Sequence, residues 1–285
     1  MKICDLYKNG RSLISFEVFP PQKEAGAGSI NNAMDVLAKL KPAFISVTYS
    51  AGGSDNHEKT IEIASRIQNK HNIPALAHLT CINSSREQVT SFLKKLDAEN
   101  LQNIMALRGD TNPCEQNKFS EYRFAKDLIA HINHEKKFCI GAAAYPEGHI
   151  DCETLDESIA YQREKLENGA KFFISQLFFD NDVFFRYLEK ARKAGINVPI
   201  SAGIMPILSR GQIEKMIFLC GTSLPSKIIR ILRKYENDPQ GLKSAGIDHA
   251  SEQINALLAQ KVDGVHIYTM NRPEIACECV KRMPE

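Results

Sequence analysis

Asn103-Ile104-Met105-Ala106-Leu107-Arg108-Gly109-Asp110 is the stretch on which the reading of this chain turns. Apolar residues run straight into Arg-Gly-Asp, the pattern of a buried strand that surfaces at its C-terminal end, where Gly109 permits a turn or the close approach of a ligand. Side chains alternate along a strand, so Ile104, Ala106, Arg108 and Asp110 are expected on one face and Met105 and Leu107 on the other. A guanidinium and a carboxylate then point the same way from a strand mouth. Taken alone, the pair also suits a surface ion pair that closes a strand. Repetition of the pattern elsewhere in the chain favours a functional role.

Upstream, residues 12–19 (Ser-Leu-Ile-Ser-Phe-Glu-Val-Phe) read as a strand stopped by Pro20-Pro21, followed by a Ser29-capped helix through Leu40. Residues 44–50 form the next strand, with Thr48 on the face of Ser46, then a Gly-Gly loop and a helix over about 57–70. The third strand covers 74–81 and ends in His78 and Thr80, before a helix capped by Ser84 or Ser85 that runs to about Ala98. Downstream of Asp110, the polar loop 111–118 has the character of a lid or binding loop and precedes a helix over about 120–134. Strands at 138–145, 172–180, 198–205 and 265–270 complete the series, with a helix over 155–168 stopped by Gly169. The stretch 223–260 exceeds one crossover and reads as an extra helix pair before the last strand. Eight strand signals, each with a helix signal and roughly 30 residues per unit, are the signature of a single-domain (β/α)8 TIM barrel over 1–285. An open doubly wound sheet would carry a Gly-rich turn after its first strand, and here that strand ends in Glu17-Val18-Phe19-Pro20-Pro21.

Lys+Arg 36 against Asp+Glu 34 leaves a formal charge of +2 with no basic block, so neither nucleic acid nor a membrane surface is the expected partner. No apolar run approaches the roughly 18 residues of a spanning helix, and Met1-Lys2-Ile3-Cys4-Asp5 opens no signal peptide, which predicts a cytoplasmic protein. The eight cysteines lack a Cys-x-x-Cys pair. Cys277 and Cys279 would diverge by about 200° on a helix, so free thiols are expected rather than a metal site.

Chemistry in such barrels sits at the C-terminal ends of the strands. Glu17, Thr48, His78, Arg108, Asp110, Tyr145, Gln176 and Arg272 occupy those positions and are predicted to converge. Glu17 stands among Phe16, Val18 and Phe19 in sequence, and a carboxyl in apolar surroundings tends to keep its proton, which suits a general acid.

Taken together, Phe16-Glu17-Val18-Phe19-Pro20-Pro21, Ser46-Val47-Thr48-Tyr49, Ala77-His78-Leu79-Thr80-Cys81, Ala106-Leu107-Arg108-Gly109-Asp110, Ala143-Ala144-Tyr145-Pro146-Glu147, Gln176-Leu177-Phe178-Phe179-Asp180, Gly203-Ile204-Met205-Pro206 and Tyr268-Thr269-Met270-Asn271-Arg272 resemble the methylenetetrahydrofolate reductase family in its bacterial, catalytic-domain-only form. The resemblance spans nearly the whole chain, one motif per strand and in order. It implies a flavoprotein barrel of one-carbon metabolism that reduces 5,10-methylenetetrahydrofolate to 5-methyltetrahydrofolate by a ping-pong mechanism. NADH or NADPH gives hydride to the flavin and is replaced by the folate, so no separate dinucleotide domain is needed.

By position, the resemblance makes Glu17 the general acid that opens the folate ring to a 5-iminium cation, and Asp110 the carboxylate that binds the pterin and offsets its charge. Gln176 and Arg272 match folate contacts, and Thr48 and Gln176 match positions near the nicotinamide. Tyr49, Ala51, His78, Arg108, Gly109, Asp110, Ala125, Tyr145, His149 and Lys165 match flavin contacts. Ser158, Tyr161 and Glu164 depart from the family's usual Asp, Asn and basic residue beside the dinucleotide half of the flavin, so FAD is the first expectation and FMN the second. The resemblance also implies a homo-oligomer, with no regulatory domain expected after Glu285.

Other readings of the same barrel are a pterin-binding methyltransferase without flavin, a Schiff-base lyase, which a lack of strand-end lysines disfavours, and a flavin subunit fed by a partner electron-transfer protein.

Overall fold

A computed structural model describes residues 1–21, 27–49, 55–82, 84–109 and 121–283. Among them, strands β1 (Leu13–Val18), β2 (Phe44–Val47), β3 (Ala75–Thr80), β4 (Asn103–Leu107), β5 (Cys139–Ala144), β6 (Phe172–Ser175), β7 (Ile200–Ile204) and β8 (Gly264–Tyr268) pair in parallel in chain order, and β8 closes on β1. Helix α1 (Ile3–Leu6) precedes the barrel. The strands β1 to β6 are followed in turn by α2 (Ala27–Lys39), α3 (Asp55–His71), α4 (Arg86–Ala98), α5 (Ala125–His134), α6 (Leu155–Glu167) and α7 (Asn181–Lys193). Between β7 and β8 lie α8 (Arg210–Cys220), α9 (Ser226–Lys234) and α10 (Pro239–Ala259), and α11 (Pro273–Lys281) ends the chain. The protein is thus a (β/α)8 barrel, with the expected extra helices before β8. No helix among the described residues is long and apolar enough to cross a membrane.

Period-two alternation divides the strands between two cores. Phe16, Val18, Ile45, Val47, Ala77, Leu79, Ile104 and Ala106 point outward and pack with the helices. Phe44, Leu76, Met105, Cys139, Phe172 and Ile174 point into the barrel and form its floor with Ile3 of α1, which plugs the N-terminal end. Asn103 holds that plug: its side chain accepts from Ile3 N–H at 2.8 Å and donates to Met1 O at 3.1 Å and Ala75 O at 3.2 Å. Beside it, the Tyr7 hydroxyl bonds Ser201 Oγ at 2.8 Å.

The helices begin where the sequence supplies caps. Ser85 and Gln88 form a reciprocal capping box on α4, Thr154 accepts from Glu157 N–H on α6, and Asp238 accepts from Gly241 N–H next to Pro239 on α10. Each such cap stabilises by roughly 1 kcal/mol.

Several boundaries differ from the sequence reading for physical reasons. β6 stops at Ser175 rather than running to Asp180. Leu177 and Phe179 leave the sheet for a third core with Met205, Ile207, Ile213, Ile228 and Leu242, under α8, α9 and α10. The long apolar run therefore serves two cores. β4 ends at Leu107, so alternation does not extend to Arg108, and Ile104 and Ala106, expected on the face of the charged pair, lie on the helix side. α5 begins at Ala125, later than the expected residue 120, and α2 begins at Ala27, two residues before the expected Ser29 cap.

Candidate active site

Parallel register brings the strand mouths together around Glu17. Glu17 pairs in register with Ser46 on β2 and Tyr268 on β8 and points into the barrel. Its Oε2 lies 3.7 Å from His78 Nε2 and 3.8 Å from His266 Nε2, and the Ser46 hydroxyl donates to it at 3.4 Å. Alternation sends Phe16 and Val18 to the opposite side, so the carboxyl does not have the apolar surroundings expected from its sequence neighbours; its neighbours are imidazoles and a hydroxyl. The Glu17 side chain keeps 19% exposure and is reachable from the mouth.

His78 is buried, and desolvation pulls its pKa down to about 4 although the Glu17 carboxylate works the other way. It is neutral near pH 7, and its Nε2 is buried without a hydrogen-bond partner. Tyr268 donates to Ser175 O at 2.7 Å, and its phenol is raised well above the usual range by burial first and then by Glu17. Gly203 is required beneath that ring, since a Cβ there would stand 2.2 Å from Ser175 O and 2.8 Å from the ring.

A second group gathers at the mouths of β4 and β5. The Tyr145 and His149 rings meet edge to face at 4.7 Å, and Lys165 Nζ lies 5.2 Å from the Tyr145 ring centroid while donating to Ala143 O at 3.0 Å. Burial lowers the Lys165 pKa to about 8, with Arg108 adding to the shift. Arg108 bonds Asp151 at 2.7 Å and holds that carboxyl below its ordinary value. Gly109 adopts φ +89°, and a Cβ there would meet Ile82 Cγ2 at 2.7 Å, so the sharp turn after β4 demands glycine. Ala125 opens α5 in a buried position.

Other expected residues lie nearer the rim. Thr48 follows β2 and donates its N–H to Val18 O. Tyr49 packs edge-on against Phe92 of α4, on the helix side. The Gln176 side-chain oxygen accepts from Leu177 N–H, and Arg272 is exposed at the N-cap of α11. Asp110, Ala51 and the loop 111–118 lie outside the described residues.

Sequence reasoning missed several residues at this mouth. His266 is fully buried between Ser15 and Ser46, at 2.7 Å and 3.2 Å. Its signal was a parity shared with Tyr268. Thr269 donates to Glu17 O at 2.6 Å, and Asn271 makes two hydrogen bonds with the Phe19 backbone, at 2.7 and 2.9 Å. Met270 and Asn271 both have left-handed backbones, with φ of 53° and 54°, a strained pair held at the mouth by those bonds.

Comparison with known proteins converges on one family. The family model described as methylenetetrahydrofolate reductase matches residues 2–284. The chain is 35% identical over 290 residues to methylenetetrahydrofolate reductase (NADH) 1 of Arabidopsis thaliana, covering 95% of this chain and 49% of that one. It thus spans about half the length of that relative. It is 33% identical over 267 residues to 5,10-methylenetetrahydrofolate reductase of Pectobacterium carotovorum, covering 94% of this chain and 88% of that one. Among solved structures, a Clostridium thermocellum protein described as binding two copies of 5-methyl-5,6,7,8-tetrahydrofolic acid has the same fold, with TM-score 0.70 and 14% identity over 98% of this chain and 97% of that one. With the whole barrel matched and a bacterial relative covered almost end to end, the chain belongs to the methylenetetrahydrofolate reductase family.

Proposed function

We propose that the barrel mouth carries out the flavin-dependent reduction of 5,10-methylenetetrahydrofolate to 5-methyltetrahydrofolate, with NADH or NADPH as the reductant. The observation that carries this reading is Glu17: an inward carboxyl at the centre of the mouth, partly open to solvent and set beside two imidazoles. A general acid must be both reachable and held, and such a group typically contributes 10²–10⁴-fold to rate.

The residues present fit a flavin. Lys165 is a cation whose charge is disfavoured by burial, which suits a site that receives an electron-rich ring or a phosphate. The unpartnered His78 Nε2 offers a polar atom to a ligand at the same mouth. His78, Arg108, Gly109, Asp110, Ala125, Tyr145, His149 and Lys165 would hold the cofactor, with Tyr49 and Ala51 at matching positions. On α6, where the dinucleotide half would lie, the Ser158 hydroxyl accepts from His149 N–H, Tyr161 stacks on Phe124 at 6.0 Å, and Glu164 pairs with Lys126 at 2.6 Å. FAD is the first reading and FMN the second. A bound flavin would supply the two-electron carrier between nicotinamide and folate.

In this reading Glu17 delivers the proton that opens the folate's five-membered ring, and Asp110 offsets the charge of the resulting 5-iminium cation. Gln176 and Arg272 orient the folate, and Thr48 and Gln176 border the nicotinamide. Three relatives are described as NADH enzymes, which makes NADH the first donor to try, with NADPH and a partner electron-transfer protein after it. Self-association into a homo-oligomer belongs to the same proposal.

The test is steady-state and anaerobic: the purified protein, reconstituted with FAD or with FMN, should oxidise NADH or NADPH beyond one equivalent per flavin only when methylenetetrahydrofolate is present. 5-Methyltetrahydrofolate should appear in equal amount by mass spectrometry, and the flavin released on denaturation identifies the cofactor. A colourless protein that binds folate without redox turnover would replace this reading with a methyltransferase.

A further inference from the structure

Past Ser175 the chain leaves the sheet, yet it stays buried until α7 approaches: Leu177, Phe178 and Phe179 are 4%, 1% and 3% exposed. Carbonyls in such a segment have no neighbouring strand to donate to them, and each one left unpaired away from water is costly. Side chains supply the donors instead. Ser175 O accepts from the Tyr268 hydroxyl at 2.7 Å, Gln176 O from Ser175 Oγ at 2.9 Å, and Leu177 O from Thr222 Oγ1 at 3.3 Å. Phe178 O accepts from Gln253 Nε2 at 3.4 Å and Phe179 O from His249 Nε2 at 3.2 Å. The last three donors all belong to the stretch between β7 and β8: Thr222 lies between α8 and α9, and His249 and Gln253 stand about one turn apart on α10. Gln253 is locked in turn, since it also donates to Asn181 Oδ1 at 3.2 Å while its carbonyl accepts from Asn181 Nδ2 at 3.0 Å. One helix there would complete the barrel repeat, and the surplus ones carry these donors.

The segment begins with Gln176. Its backbone N–H donates to Ala144 O at 2.7 Å, and its side-chain oxygen accepts from Leu177 N–H at 2.9 Å, so the amide is folded back on the segment and moves with it. Among the donors, His249 differs in that it can titrate. A carbonyl only accepts, so the bond to Phe179 O fixes the proton on Nε2 and leaves Nδ1 bare. Nδ1 is buried without a hydrogen-bond partner, on a residue that is 7% exposed. A second proton there would make a buried cation with no acceptor. The charged groups facing the ring are Lys227 on α9, Glu252 on α10 itself and Asp180 at the N-cap of α7, and Lys227 pairs with Glu252 at 2.5 Å. Burial lowers the imidazole pKa, Lys227 adds to the fall, and the Phe179 carbonyl and the two carboxylates oppose it without reversing it.

We propose that His249, with Gln253 beside it, is a positioning residue for Gln176, and that the extra helices between β7 and β8 serve to hold the segment after β6 at the barrel mouth. That Gln176 orients the folate rests on the proposed function; the hold on the segment does not.

Hydrogen exchange followed by mass spectrometry reads the hold directly, in a peptide spanning residues 172–182, with a peptide spanning β4 as the control for global unfolding. At pH 7 His249→Leu should lower protection in the first peptide by about 10-fold, the scale of one buried hydrogen bond, and leave the β4 peptide unchanged. His249→Gln, whose amide nitrogen reaches the Nε2 position, should restore it. Acid gives a second readout. An open segment frees His249 to take up a proton at its ordinary pKa of 6.5, whereas the closed one resists it. Wild-type protection should therefore fall by about 5-fold between pH 7 and 5.5, and His249→Gln should show no such fall. In turnover, His249→Leu should raise KM for methylenetetrahydrofolate by about 5–10-fold with kcat within about twofold, and should add nothing in a Gln176→Ala background, because it acts through that side chain. If His249→Leu fails to fold, the pH dependence of the wild type against His249→Gln carries the test. Unchanged exchange in His249→Leu, a loss of protection shared with the β4 peptide, or KM effects that add in the double variant overturn the proposal. Faster exchange confined to the segment, with no folate reacting in the wild-type protein, would remove the proposed function and leave the hold in place; normal turnover with unchanged exchange gives the reverse.

Discussion

The floor and the mouth of this barrel both bury polar side chains in one lumen, but they use them differently. At the floor, Asn103 spends its oxygen on Ile3 N–H and its amide on two carbonyls, and Tyr7 spends its hydroxyl on Ser201. At the mouth, His78 Nε2 is buried without a partner, Lys165 is a desolvated cation, and Glu17 is held by a hydroxyl at 3.4 Å with two imidazoles beyond. Burial is common to both ends, and what separates them is hydrogen-bonding capacity left unspent. Saturated groups stabilise the fold; unsaturated ones are where a ligand can be recognised.

The sharpest way to break that contrast is at its two centres. Glu17→Gln keeps the shape of the mouth and removes the acid, so folate reduction should fall by about 10³-fold while flavin reduction by NADH stays nearly unchanged in stopped-flow traces. Equal loss of both half-reactions would take the proton-donor role away from Glu17. Asn103→Ala should do the opposite: unfolding in urea should show a loss of about 3 kcal/mol, because Ile3 N–H and two carbonyls lose their partner in a dry floor, with turnover per folded molecule unchanged.

A smaller effect comes from His78 and depends on pH. Its folded pKa of about 4 lies below the unfolded value of 6.5, so the unfolded chain takes up a proton first as the solution is acidified. Stability should therefore fall as pH drops from 7 toward 4, by about 2 kcal/mol between pH 7 and 5, and His78→Gln should lack that component in urea titrations at the two pH values. The smallest expected effect is at the floor, where Tyr7→Phe leaves the ring packed on Phe172 and removes one hydrogen bond to Ser201, lowering stability by about 1 kcal/mol with no change in KM.

Alternation and punctuation made the eight-fold repeat legible, because each strand carries its period and each helix its cap. Glu17 and His78 were legible for the same reason, being inward positions near strand ends. The rest was hidden by physics that acts across the chain. The α1 plug has too few residues to show a period, yet it seals the floor through Asn103, which in sequence is only the first residue of a strand. His266 inside an apolar strand looks like any core residue until register places Ser15 and Ser46 at its two nitrogens. Tyr49 sits one position beyond Thr48, and that single step sends its ring to Phe92 on the helix side. Left-handed Met270 and Asn271 leave no mark in composition, since the bonds that hold Asn271 come from Phe19, at the far end of the sequence.

One anaerobic measurement tests the chemistry of the barrel mouth most directly. The flavin of the purified or reconstituted protein is reduced chemically, without any nicotinamide, and methylenetetrahydrofolate is then added while the visible spectrum is followed. The oxidised flavin bands should return, with one 5-methyltetrahydrofolate formed per flavin. A flavin that stays reduced in the presence of the folate would contradict the assignment of this barrel mouth to folate reduction.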